Sequence, residues 1–371
     1  GSGKHNNWSF CGPDGKEWRT PGDSPHENAK FLAVICALIK AVDTHAGLLR
    51  AAVATAGNDH RLGANEAPPA IISIFLGEQL FDVIEQIETG GAKSSKDGGT
   101  IEIGVSSLPP LPRDATDRNR TSPFAFTGNK FEFRAVGSSQ SCAGANVVLN
   151  TIVAEAIDGI CTELDAAAAQ GTDFNVALQS ILQSIVTKHK RILFNGDNYT
   201  AEWRAEAAKR GLPALQTTPE ALKEITSPEA IEMFGKYKVL SERELRSRFE
   251  VYQEGYDETV SIEATCASTI VKTMVTPVAL AYRDSLAESL LMLEQVGVKG
   301  DETKLLFDDV CSKTENLLRA SRQLSSAVET GITADTLSAL GNARECVDAL
   351  EELMPSAEWP LPSYTDLLLM M

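Results

Sequence analysis

Four groups of residues able to do chemistry lie within positions 1–134. The first is Gly1-Ser2-Gly3-Lys4-His5-Asn6-Asn7-Trp8-Ser9. Its glycines let backbone approach a phosphate or carboxylate, and the His5 imidazole can ligate a metal or move a proton. The second is His60-Arg61-Leu62-Gly63-Ala64-Asn65-Glu66-Ala67-Pro68-Pro69. It sets an acid beside a guanidinium in a Gly/Pro loop, a composition that fits either a gate with an anion clamp or a solvated surface loop. The third, Arg118-Asn119-Arg120, puts two guanidiniums one residue apart. That spacing suits a phosphate or carboxylate, and equally a pair of surface ion bridges. The fourth is Lys130-Phe131-Glu132-Phe133-Arg134. As a strand it carries Lys130, Glu132 and Arg134 on one face and the two phenylalanines on the other. A carboxylate between two cations fits a divalent metal with bound anions, or an ion network on a wet sheet face.

The elements that must carry these residues change in texture along the chain. Up to about residue 140 the sequence is rich in Gly, Pro, Arg and aromatics with short β-like runs; beyond it the pattern is mostly helical. Thr127-Gly128-Asn129 between two aromatic runs predicts a β-hairpin over 124–136. Thr100–Ser106 alternates like a half-buried strand, and His60–Pro69 is expected to be non-helical. Ser24, Pro25 and Glu27 predict a capping box opening the first helix, with Phe31, Leu32, Ile35, Leu38, Ile39 and Val42 on one face. Helices are predicted over 143–168, 178–193, from Ser241 onward with a kink at Pro277, over 304–329 and over 333–354. Leu305, Leu306, Val310, Leu317, Leu324 and Val328 form an apolar stripe read as helix-packing core.

Composition narrows the partners. The chain has 371 residues, enough for two or three domains, and a net charge of −17. Such a chain repels polyanions, so neither a nucleic acid nor an anionic membrane is expected as a partner. The longest uninterrupted apolar run, Phe31–Ile39, falls well short of the ~18–20 residues that span a bilayer. The seven cysteines are scattered without a CxxC pair. They read as reduced thiols, and a cytoplasmic location is expected.

In their order and content the four groups resemble the motifs of the glutamine synthetase family. That family carries Asn-Gly-Ser-Gly-x-His, then an Arg-Leu…Glu-Ala-Pro flap, then Arg-Asn-Arg-Ser, then Arg-x-Glu-x-Arg. They stand here as Gly1–His5, Arg61–Pro68, Arg118–Thr121 and Lys130–Arg134. Gly-Lys-His-Asn-Asn-Trp-Ser and Thr-Gly-Asn-Lys-Phe-Glu-Phe-Arg resemble the type III class, as do Trp359-Pro360-Leu361-Pro362 and the long helical tail. The segment from Asn146 to Ala154-Glu155-Ala156-Ile157-Asp158-Gly159-Ile160 is similar to the family's Asn-Pro-Tyr…Asp-Gly-Ile stretch. There are departures. Lys130 stands for the usual first Arg, Ala125 for the final Arg of the third motif, and the flap is one residue shorter than in the common bacterial form. The chain opens inside the first motif, so it reads as the C-terminal part of a longer enzyme, without the N-terminal β-grasp domain.

The resemblance implies an α+β fold: a glutamine synthetase-like catalytic half-barrel of antiparallel strands plus helices, followed by a long-helix C-terminal region. The expected division is residues 1–175 for the catalytic part and 176–371 for the helical domain. It implies ATP-dependent ligation of ammonia to glutamate through a γ-glutamyl phosphate, with ATP as substrate and Mg2+ or Mn2+ as cofactor. His5 and Glu132 would ligate the metal. Gly1, Arg61 and Arg134 would bind glutamate. Asn7, Ser9, Arg120 and Lys130 would serve ATP, and Arg120 and Glu66 would be catalytic, Glu66 closing the flap over the ammonium site. A homo-oligomeric ring is implied as well. The competing readings are a non-catalytic helical assembly module or decayed ligase, and a related ligase or guanidino kinase sharing the half-barrel.

Overall fold

The first group sits on a short strand, Lys4–Trp8, whose Asn6 and Trp8 are buried while the residues between and before them are exposed. The computed structural model describes residues 3–13, 15, 18, 28–64, 67–90, 100–101, 111–112 and 120–369. The elements are β1 (Lys4–Trp8), α1 (Ala29–Thr44), α2 (Ala46–Ala51), α3 (Ala56–Arg61), β2 (Ile74–Phe75), α4 (Glu78–Thr89), β3 (Thr100–Ile101), β4 (Leu111–Pro112), β5 (Phe124–Phe126) and β6 (Phe131–Val136). After them come α5 (Ala143–Ala169), α6 (Phe174–His189), α7 (Ala201–Lys209), α8 (Thr218–Leu222), α9 (Pro228–Lys236), α10 (Glu242–Ile270), α11 (Thr276–Gln295), α12 (Asp301–Thr330), α13 (Thr333–Glu351) and α14 (Tyr364–Leu369). The protein is mostly helical with a small sheet, and it divides into two compact units, 1–253 and 254–371.

The first unit holds the sheet, in the order β1-β6-β5-β2. The predicted hairpin forms: β5 and β6 are antiparallel, Thr127 N–H donates to the Lys130 carbonyl at 2.9 Å, and Gly128 takes the positive φ (91°) the turn needs. The expectation of purely antiparallel strands is corrected at the other edge, where β2 pairs with β5 in parallel. A long crossover containing α4 joins those two strands, and parallel neighbours require such a connection. One face of the sheet is an aromatic layer. Phe124 meets Phe131 and Phe133 at ring-centroid distances of 4.9 and 5.8 Å, and Phe126 meets Phe131 at 5.2 Å. All four rings are buried, and α1, apolar on nearly every side, packs in the same core.

β1 is held from its inward face. Asn6 and Trp8 point into the protein and are buried, while His5, Asn7 and Ser9 are exposed. Asn6 donates to Asn146 Oδ1 at 2.8 Å and the Trp8 indole to Asn150 Oδ1 at 2.9 Å. The two acceptors lie one turn apart on α5, matching alternate residues of β1.

Some boundaries differ from those the sequence predicts. Asn28, not Ser24, caps the first helix: its side chain accepts the Phe31 N–H at 3.1 Å and its own backbone is non-helical. Ser24, Pro25 and Glu27 lie outside the described residues. His60 and Arg61 are the last turn of α3, capped at its start by Thr55, and not part of an irregular loop. Of the strand predicted over 100–106, Thr100–Ile101 pairs with Leu111–Pro112; residues 102–106 lie outside the described residues.

In the second unit the helices bury short apolar stripes. Val271, Val275, Ala279, Val310, Leu317, Val347 and Leu350 form one core cluster, and Ala264, Ala320, Leu324 and Ala343 a smaller one. The predicted stripe on α12 is real at Val310, Leu317 and Leu324; Leu305 is 63% exposed and does not belong to it. Between α10 and α11, residues Val271–Val275 form a turn of π-helix. Pro277 at the start of α11 cannot donate to the carbonyl four residues back, and a widened turn just before it absorbs that mismatch. One 18-residue window in the run Glu242–Gln295 has a mean hydropathy of 1.3, so by length and composition this run is apolar enough to cross a membrane. Its Ala264, Val271, Val275 and Ala279 are buried against α12 and α13.

Two outcomes follow from this packing. Asn146→Ala leaves the buried Asn6 amide without its acceptor, which is expected to cost about 1–3 kcal/mol in urea unfolding; an unchanged midpoint would show that β1 is not anchored through this pair. Cys36 is fully buried on α1, and burial pushes its thiol up to about 12. Thiol titration of the native protein at pH 8 is expected to modify the exposed Cys11, Cys161 and Cys266 and to spare Cys36 until denaturant is added.

Candidate functional site

The charged residues of β6 reach the outward face of β1 because the two strands pair out of step. Trp8 pairs with Phe131, Asn7 with Glu132 and Asn6 with Phe133, but Lys4 pairs with Val136. His5 therefore stands opposite two residues, Arg134 and Ala135: a β-bulge on β6. A bulge turns the local side chains, and here it leaves Glu132 beside the exposed His5, with His5 Nδ1 3.7 Å from Glu132 Oε2. Arg134 is drawn into the protein, its side chain 7% exposed. Its Nε and Nη2 both donate to Glu132 Oε2, at 3.1 and 2.9 Å. The carboxylate is thus fixed from one side by charge-assisted bonds. Its Oε1 has no partner among the described residues.

Beneath the bulge lies Arg61. Its Nη2 donates to the Arg134 carbonyl at 2.9 Å, and its Nη1 to the carbonyls of Ala135 and Val136 at 3.2 and 3.4 Å. Asn58 shares the task. Its amide nitrogen donates to the Ala135 carbonyl at 2.8 Å and the Val53 carbonyl at 2.6 Å, and its Oδ1 receives Arg61 Nη1 at 3.1 Å. Burial lowers the Arg61 pKa from its ordinary value, an effect the Tyr199 phenol opposes. Gly3 is the residue the guanidinium lies against: a Cβ there would stand 2.1 Å from Nη2, 2.3 Å from Cζ and 2.4 Å from the Val136 carbonyl oxygen. No side chain fits at position 3, so the glycine two residues before His5 has a packing reason.

Behind α3, a second network fixes the same helix. The fully buried Arg50 donates to Asp59 Oδ1 at 2.8 Å and to the Leu215 carbonyl at 2.9 Å. Asp59 also accepts the N–H and hydroxyl of Thr218, at 2.7 and 2.8 Å, which ties α3 to α8.

The structure therefore brings His5, Asn7, Glu132, Arg134 and, below them, Arg61 into one place. Asn7 is exposed opposite Glu132, and Ser9 is exposed one residue beyond β1. Arg120 precedes β5 and Lys130 ends the hairpin turn; neither forms an ion pair with another described residue. Gly1, Glu66, Arg118 and Asn119 lie outside the described residues. Asn58, Asn150 and Gly3 carry more of the geometry than sequence reasoning assigned them. Only the i, i+4 spacing of Asn146 and Asn150 hints at it.

An exposed imidazole and a carboxylate oxygen on one wet face fit Mg2+ or Mn2+ with water completing the shell. Among the described residues no three His, Cys, Asp or Glu side chains converge, so these two are the full donor set there. A cavity of about 420 Å3 lies elsewhere in the first unit, lined by Phe81, Ile84, Glu88, Lys188, Lys190 and Arg191. None of the four sequence groups lines it. Its Lys190 and Arg191 already engage Glu88 and Asp43, each at 2.7 Å.

Residues 177–294 match the glutamine synthetase C-terminal domain. The chain is 40% identical to type-3 glutamine synthetase of Dictyostelium discoideum, over 99% of this chain and 52% of that protein. It is 34% identical to glutamine synthetase of Bacteroides fragilis (strain YCH46), over 99% of this chain and 53% of the relative. For glutamine synthetase of Butyrivibrio fibrisolvens the figures are 35%, 99% and 54%. The chain spans about half the length of these relatives. The chain thus carries a glutamine synthetase C-terminal domain over 177–294 and is similar along its whole length to glutamine synthetases.

Proposed function

We propose that these residues form part of the site of an ATP-dependent ligase that joins ammonia to glutamate through a γ-glutamyl phosphate. The observation that carries this reading is the cluster of His5, Glu132 and Arg134 across the bulge, in a chain similar to glutamine synthetases from end to end. A carboxylate does not react with ammonia until an oxygen is made a leaving group, and phosphorylation by ATP does that. The transfer spreads charge over the phosphoryl oxygens, so cations must stand around them. Arg120 and Lys130, without acidic partners among the described residues, are the cations for the phosphates. Asn7, exposed on β1, and Ser9, exposed one residue beyond it, would serve the nucleotide. Arg134 orients Glu132; the resemblance assigns the glutamate carboxylate to it and to Gly1.

His5 and Glu132 would hold the metal, which when bound supplies charge to the phosphoryl oxygens. Glu66 would close over the acyl phosphate and exclude water. The half-barrel architecture, a ring of like subunits and a cytoplasmic setting belong to the same reading.

The test is ATP- and glutamate-dependent γ-glutamyl hydroxamate formation by the protein expressed from its own gene. Glu132→Ala is expected to abolish it, and Arg134→Ala to lose most activity with glutamate use hit harder than ATP use, since a bond to a charged group contributes about 1.5–3 kcal/mol. Wild-type parameters in both variants would reduce the cluster to a structural ion network. Glu66→Ala is expected to keep ATP use and release phosphate in excess of glutamine; a one-to-one ratio at the wild-type rate would remove Glu66 from the gate.

A further inference from the structure

We infer that Arg61 is a positioning residue whose guanidinium holds the β6 bulge in register and, through it, sets Glu132 and Arg134 against His5. The role of Glu132 as a metal ligand rests on the function proposed above; the clamp itself does not. A bulge leaves its extra residue without a ladder partner, and buried carbonyls without donors are costly. Three consecutive carbonyls, those of Arg134, Ala135 and Val136, accept from this one guanidinium.

Only a planar fork of donors can serve three neighbouring acceptors on a bent strand at once; a lysine ammonium would reach them as a point. The guanidinium lies over Gly3, where a Cβ would collide with it, so β1 is shaped to admit the clamp. The backbone of α3 is fixed independently, by Asn58 to Ala135 and by Asp59 to Arg50 and Thr218, so Arg61 projects from a rigid base. With Nη1 and Nη2 both turned to the strand, Arg61 acts on the site from beneath it. A direct grip on a substrate carboxylate is the competing role.

The deciding experiment compares intact protein with its Arg61→Gln and Arg61→Lys variants, without substrate. Hydrogen exchange of the amides of residues 131–136 is read first, and binding of Mn2+ alone, followed by electron paramagnetic resonance, second. If Arg61 is the clamp, exchange over 131–136 speeds up at least about tenfold in Arg61→Gln while the helices of the second unit keep their protection. Arg61→Lys falls between, and serves as the folded reference if the glutamine variant does not accumulate. Mn2+ affinity is expected to fall about 10-fold, as when a partner that orients a metal ligand is lost. Glu132→Gln combined with Arg61→Gln is expected to bind no more weakly than Glu132→Gln alone.

Unchanged exchange over 131–136, with glutamate binding lost, would overturn the inference and make Arg61 a substrate ligand. Faster exchange with undiminished Mn2+ affinity would also overturn it, leaving Arg61 a purely structural residue. If the unaltered protein binds no Mn2+, the metal reading falls on its own; the exchange data and the His5 ring resonances, which sense Glu132 at 3.7 Å, then decide the clamp.

Discussion

The rest of the site depends on how one irregular strand satisfies its backbone. β6 carries one residue too many for its pairing with β1, and the surplus falls at Arg134 and Ala135. In a dry interior the carbonyls there must find donors. Arg61 and Asn58 supply them from the last turns of α3. Because those donors come from a helix and not from another strand, the bulge is tied to an element that is itself locked by Arg50, Asp59 and Thr218. The position of Glu132 thus follows from a chain of bonds that begins well outside the sheet.

The opposite side of the sheet is fixed by different physics. Four phenylalanines fill the space beneath β5 and β6 with tilted and edge-on contacts, and their burial sets which face of each strand looks outward. Since side chains alternate, burying Phe131 and Phe133 forces Glu132 to the polar face. On β1 the same alternation is enforced by Asn146 and Asn150 of α5, which hold Asn6 and Trp8 and leave His5 and Asn7 outside. Apolar packing decides the faces; the hydrogen bonds and the bulge decide the register.

In the second unit, residues spaced for helix packing fill narrow clusters, many of them alanine or valine, which let helices approach closely. The π-helical turn before Pro277 is the one backbone irregularity of the long helical run, and it lies where Val271 and Val275 enter the core. No sequence group tied to chemistry falls in this unit.

The sequence by itself determined the local facts. The hairpin at Gly128, the alternation over 130–134, the helices expected over 143–168, 304–329 and 333–354, which form within a few residues of those bounds, and the family's motif order all follow from short-range periodicity, turn chemistry and residue type. The family's motifs singled out His5 and Glu132, and the structure sets them 3.7 Å apart across the two strands. The tertiary structure decided what no local rule encodes. A bulge is a mismatch between two strands over a hundred residues apart, so nothing in either one announces it. Whether Arg61 faces solvent or three carbonyls depends on where α3 docks, and that is set by the contacts of Asp59 with Arg50 and with Thr218, the latter far from it in sequence. Asn58 and Gly3 looked ordinary for the same reason: their partners are contributed by β6 and by Arg61, and a residue's hydrogen-bonding duty becomes visible only when the distant backbone it must satisfy has been brought beside it.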